Sequence, residues 1–274
     1  MKKKSLVVSV SGGRSSAIMA KHISQSEKYK DFEKVYVFAN TGMERIETIN
    51  FLRDMEKYWG IDIVCVEGKY STVMGQGVKH RITDLDNLSM NAEPFEGAIR
   101  HKTKGVFKGL PNMKAPYCSE MTKTLPIKSF SDTMFGKKKY LMALGFRAED
   151  MPKRISWKEI EICDKKIYPL LTDFERPIGQ NELNVLWDKE PFKLEIHSNL
   201  GNCEMCWKKS DKKIVEDIRY GTRFIDWFER MEHEYNSTMF RGRKSIKDMV
   251  KMSQEPTTGF IDFGDDDDGC VCSF

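Results

Sequence analysis

A chain of 274 residues, 40% apolar and 31% charged, can bury one large α/β core or a core with a helical appendage. It has no apolar run near the eighteen or so residues of a membrane span, and Met1-Lys2-Lys3-Lys4 leads into too few apolar residues for a signal peptide, so a cytoplasmic protein without membrane partners is expected. The net charge of +4 includes six acidic residues and no Lys or Arg beyond Gln254, which leaves about +10 on the residues before them. That excess suits either a polyanionic partner or a solvated lysine-rich surface.

The first apolar run, Leu6, Val7, Val8 and Val10, reads as a strand. It breaks into Ser11-Gly12-Gly13-Arg14-Ser15-Ser16 and then a helical pattern through Ala17, Ile18, Met19 and Ile23. A strand, a glycine pair and a helix start aim backbone N–H groups and a positive helix end at one small volume, which favours an anion. The glycines let the chain turn and let a phosphate approach the backbone. The Walker pattern is absent, because no Gly-Lys-Ser/Thr follows at the required distance. An ordinary strand–turn–helix connection with Ser15 or Ser16 as helix cap remains the plain alternative.

Residues 34–39 form a second expected strand, running into Asn40-Thr41-Gly42 and then a helix with Ile46, Ile49, Phe51, Leu52, Met55 and Trp59 on its apolar face. Residues 61–66 form a third. Single helices between strands imply parallel pairing, so the fold class expected is α/β: an open, mostly parallel sheet with helices on both faces. Residues 69–116 are weakly periodic and too long for a connection, hence an inserted subdomain. Helical character resumes over 117–137. Residues 139–144 are a fourth strand, ending in Gly145-Phe146-Arg147, and short strands are expected at 160–162 and 166–171. A helix follows at 181–189, and a last helical region from Gly201 to about Tyr235. The domains expected are 1–200 for the α/β unit, 201–253 for a helical Cys-x-x-Cys region and 254–274 for an acidic flexible tail.

In such a sheet, ligands lie beyond the carboxyl ends of the strands. Asn40, Thr41 and Gly42 are therefore expected to border the same cleft as Ser9, Ser11, Gly12, Gly13, Arg14, Ser15 and Ser16. Gly145 and Arg147 join them from strand four, the glycine permitting close phosphate approach and the guanidinium matching phosphate oxygens. Arg154 either does likewise or pairs with Glu149 or Asp150.

The Ser-x-Ser-Gly-Gly-x-Ser-Ser loop resembles the PP-loop of the adenine-nucleotide α-hydrolase superfamily. The ordered series of that loop, Asn40-Thr41-Gly42-Met43-Glu44, Cys118 with Lys123 and Pro126, Gly145-Phe146-Arg147-Ala148-Glu149 with Arg154, Tyr168-Pro169-Leu170 and Cys203-Glu204-Met205-Cys206 resembles the phosphoadenosine phosphosulfate reductase family over roughly residues 5–210. The resemblance implies a site for ATP or a related adenine nucleotide, with Mg2+, on the first loop. It implies catalytic roles for Ser11, Arg147 and Arg154. It also places Cys118, Cys203 and Cys206 where iron–sulfur members carry ligands of a 4Fe–4S cluster; that leaves a fourth position to be filled by Cys270 or Cys272 folding back, or one iron free for sulfur chemistry, and by residue type a Cys-x-x-Cys turn equally suits zinc. Cys65 and Cys163, in or near strands, read as ordinary buried cysteines.

The chain departs from the reductases in lacking their Glu-Cys-Gly-Leu-His segment. The expected reaction is thus cleavage of ATP between the α and β phosphates to adenylate an acceptor, coupled to sulfur transfer. The acceptor would be a nucleic acid or a small molecule, served by a sulfur or electron donor protein. Sulfonucleotide reduction is the alternative, and a non-catalytic nucleotide-binding module within a larger complex is the rival from another class.

Overall fold

The computed structural model describes residues 3–201 and 203–256; the calls on Cys270, Cys272 and the acidic tail lie outside them. The sheet has six strands in the order β4-β3-β2-β1-β5-β6. These are β1 (Lys4–Val10), β2 (Phe32–Asn40), β3 (Ile63–Lys69), β4 (Lys79–Thr83), β5 (Tyr140–Ala143) and β6 (Lys166–Ile167). All pairs are parallel except β3 with β4. The expected open α/β sheet is what the chain forms.

The alternation along β1 explains how both faces are covered. Leu6, Val8 and Val10 pack under α1 (Arg14–Gln25) and α2 (Ile46–Trp59), which contribute Ala17, Ile23, Ile49, Leu52 and Met55 to one core. Val7, on the opposite face, meets Ile127 and Phe130 of α4 (Leu125–Phe135), which follows α3 (Glu93–Lys102) in the chain. Strand β1 has β2 on one side and β5 on the other, so consecutive crossovers diverge at its carboxyl end.

The region from 69 to 116 is an organised insertion. It supplies the antiparallel edge strand β4, whose Lys79 and Arg81 keep that edge charged, and helix α3. The remaining helices are α5 (Trp157–Ile162), α6 (Pro169–Thr172), α7 (Gln180–Trp187), α8 (Asp211–Tyr220), α9 (Ile225–Tyr235) and α10 (Ile246–Gln254). The last helical region thus continues past Tyr235. Phe95, Ile99 and Leu110 of the insertion share one apolar core with Trp207, Ile214, Trp227, Phe228, Met231 and Met249. Insertion and C-terminal helices are therefore one helical lobe.

Two expected strands differ. Residues 160–162 belong to α5, because Ser156 and Glu159 form a reciprocal capping box that starts a helix there. Strand β6 stops at Ile167, since Pro169 sets the first turn of α6.

Candidate nucleotide loop and thiol cavity

The Ser-Gly-Gly loop closes β1 and opens α1 at the divergence of the crossovers. Gly12 has φ +77, and a Cβ there would stand 2.4 Å from the Thr48 methyl. Gly13 is the helix N-cap, with φ −105 and no side-chain cap hydrogen bond, so no side chain caps the first-turn amides of α1. A Cβ on Gly13 would meet only Ser11 Oγ, at 3.6 Å. The Ser11 and Ser16 hydroxyls lie 2.9 Å apart, Ser11 N–H donates to Ser16 Oγ, and Ser16 Oγ donates to the Gly13 carbonyl. Ser16 thus braces the loop from within.

Two guanidinium groups stand at this loop, held by α7. Arg14 donates to Asn184 Oδ1 at 2.9 Å, Arg147 donates to Gln180 Oε1, and Gln180 Nε2 donates to Asn184 Oδ1. The Trp187 indole donates to the Arg14 carbonyl at 3.3 Å. Residues 180, 184 and 187 lie on one face of the helix, a polar stripe readable in the sequence but overlooked there. Burial lowers the pKa of Arg14, with Asp188 opposing and Arg147 adding to the shift. Two cations gathered at an uncapped, positive helix end make a local field that favours an anion.

Other expected ligand residues have different placements. A Cβ on Gly145 would fall 2.9 Å from Ser16 Cα, so this glycine lets the loop after β5 pack on the first turn of α1. Ser9 is buried on the face it shares with Val7, away from α1. Asn40 is spent inside the fold: it donates to Glu67 and to the Ser89 carbonyl and accepts from Gly42 N–H. Gly42 has φ +80 and abuts Pro94 and Ala92 at the start of α3. Arg154 bonds Asp150 at 2.8 Å and lies over the Phe146 ring, while Arg147 reaches toward Glu149.

Thr41 borders a second feature at the same end of the sheet, a cavity of about 30 Å3. Its walls include Cys118, Cys203 and Cys206, with Lys123 beside them. Lys123 and Thr122 sit on a π-helical turn, Glu120–Thr124, which joins directly to α4. Thr41 Oγ1 is 3.3 Å from Cys203 Sγ and 2.9 Å from the Glu44 carboxylate. Burial raises the pKa of Glu44, opposed by Lys123 and by hydrogen bonds from Thr41. The Cys-x-x-Cys turn is fixed from three sides: Glu204 N–H donates to the Met43 carbonyl, Arg223 pairs with Glu204, and Met205 N–H donates to Asp217. By contrast, burial pushes the Cys65 thiol up to about 12.

Thiolate donors suit a thiophilic ion, and the space holds one ion or one or two waters. A four-iron cluster would need the walls to part. Among the described residues, no three His, Cys, Asp or Glu side chains are grouped closely enough to hold a metal ion, so the thiols share a cavity without forming a coordination sphere.

Among curated proteins, the chain is similar to the uncharacterised nin region protein ORF290 of Escherichia phage lambda, at 28% identity over 266 residues. The match covers 91% of this chain and 85% of the phage protein. No family model and no solved structure matches. Among the described residues, no helix is long and apolar enough to cross a membrane.

Proposed function

We propose that the chain is a PP-loop enzyme, similar to the phosphoadenosine phosphosulfate reductase family, that binds ATP and adenylates an acceptor for sulfur transfer in the cytoplasm. The observation that carries this reading is the uncapped start of α1 with Arg14 and Arg147 gathered above it and open space at Gly13. An acceptor oxygen would attack the α-phosphorus, the bond to the bridging oxygen would break, and pyrophosphate would leave. The first-turn amides and the two guanidinium groups would then stabilise charge on the phosphate oxygens. Mg2+, when bound with ATP, would supply further neutralisation of the triphosphate.

The thiol cavity supports the sulfur half of the reading, because Thr41 places it at the same end of the sheet as the loop. Cys118, Cys203 and Cys206, which share the cavity without a preformed coordination sphere, would have to draw together to hold one thiophilic ion such as zinc, which when bound stabilises thiolates. Lys123 lines the same cavity and brings a cation beside the thiols.

Calorimetry with ATP tests the loop. The native chain is expected to bind ATP and, with an acceptor, to release pyrophosphate. Gly13→Val, which the fold accommodates, is expected to lower affinity at least about a hundredfold, the loss of more than one phosphate contact. Unchanged affinity in that variant would remove the loop from the mechanism.

A further inference from the structure

The lysines look scattered in sequence, but the fold gathers a subset of the cations. Arg100, Lys102, Lys104, Lys108 and Lys114 follow one another in the insertion with no Asp or Glu between them, and Arg241, Arg243, Lys244 and Lys247 do the same ahead of and within α10. The two segments meet across an open groove of about 860 Å3, walled by residues 112–114 on one side and by Phe240, Arg241 and Arg243 on the other. Several of these cations are spent internally: Arg100 on Glu96 and Glu234, Lys104 on backbone carbonyls, Lys244 on Asp211. Lys114 and Arg243 are exposed and have no acidic partner among the described residues. One carboxylate, Glu232, lines the groove and accepts from Ile246 N–H.

The groove lies against the thiol cavity. Met239 lines the cavity and its neighbour Phe240 lines the groove. Arg241 donates to the Lys208 carbonyl at 2.7 Å, next to Trp207 in the cavity wall. On the insertion loop, Phe107 and Met113 are exposed. Unpaired cations around a groove that also exposes the Met113 side chain match a phosphate backbone whose bases are free to pack on an apolar surface.

We propose that this groove binds single-stranded nucleic acid, with phosphates on Lys114, Arg241 and Arg243 and a base against Met113. Docking does not depend on the adenylation reading, though it gives that reading's acceptor a chemical class. A bound strand would pass within one residue of the wall of the thiol cavity.

The test is fluorescence anisotropy on the full chain with labelled RNA and DNA single strands of about 16 nucleotides and with the matching duplexes. Single strands are expected to bind more tightly than duplexes. Lys114→Glu with Arg243→Glu should weaken single-strand binding at least about tenfold and reduce the salt slope by about 1.4, two contacts at about 0.7 each. Lys30→Glu with Lys57→Glu, on the sheet lobe, should change it little, and Met113→Ala should weaken it by about threefold, the loss of a small apolar contact. ATP calorimetry and thermal melting on each variant establish that the fold and the nucleotide loop are intact. Lys114→Gln with Arg243→Gln repeats the test should the reversal unfold the helical lobe. Equal losses at the groove and control pairs, tighter binding of duplex, or no binding at about 50 mM salt would overturn the groove, whatever the outcome with ATP.

Discussion

At residue scale the two glycines of the first loop separate fold from function. Gly12 is needed by the fold, because its φ of +77 and the Thr48 methyl at 2.4 Å exclude a side chain. Gly13 has an ordinary extended φ and free space, so the fold itself does not require it to lack a Cβ. Gly12→Val is therefore expected to lower stability by about 1–3 kcal/mol in chemical denaturation, whereas Gly13→Val should leave the denaturation midpoint within error. Equal destabilisation by both would mean that the loop is merely a tight turn. The sequence pointed to this loop because strand, glycines and helix start are all local signals. It did not show that Asn40 and Gly42 serve the packing of the insertion, because Glu67, Ser89, Ala92 and Pro94 reach them only through tertiary contact.

At the scale of elements, the Cys-x-x-Cys turn illustrates how a local motif depends on distant charges. Asp217 of α8 is fully buried and bonds Arg45 at 2.8 Å, Lys209 at 2.6 Å and Met205 N–H at 3.1 Å. It therefore ties the start of α2 to the cysteine turn. Asp217→Asn would leave two buried cations without their counter-charge and is expected to cost about 3–5 kcal/mol, measured by urea denaturation. A change below 1 kcal/mol would show that water replaces the carboxylate there. The same turn predicts how the thiols divide: Cys118→Ser, Cys203→Ser and Cys206→Ser should each lower the zinc or iron that copurifies, whereas Cys65→Ser should not, its thiol being held protonated by burial. Metal content unchanged in the first three would dismiss the shared site. Sequence pattern located the Cys-x-x-Cys pair and Cys118 but not Asp217, which reads as one more charge on an amphipathic helix. Periodicity also misjudged residues 160–162, where alternation suggested a strand and the Ser156–Glu159 capping box, equally visible, decided for a helix.

For the whole molecule, the main finding is that residues 69–116 and the C-terminal helices are halves of one lobe, a relation that no local pattern encodes, since its core is built from contacts more than a hundred residues apart. Glu96 is the ionic part of that joint. It accepts from Trp227 at 3.1 Å, pairs with Arg230 of α9 and pairs with Arg100 within α3. These partners, Arg230 foremost, lower its pKa from 4.5 to about 2 despite partial burial. A carboxylate with a lowered folded-state pKa stabilises fully above its ordinary value and loses that contribution as the pH falls through the folded value. The loss therefore belongs to the window from about 4.5 down to about 2. Because Glu96 is partly exposed, screening limits its contribution to about 1–2 kcal/mol. Glu96→Gln should accordingly be less stable than the native chain by that amount near neutral pH, and the difference should shrink toward zero as the pH approaches 2. Urea denaturation followed by tryptophan fluorescence, to which Trp207 and Trp227 of this lobe contribute, reads the difference at each pH. A pH-independent gap between the two proteins would assign the joint to packing of Phe95 on Trp227, whose rings stack at 5.4 Å, and leave the ion pairs without a share in it.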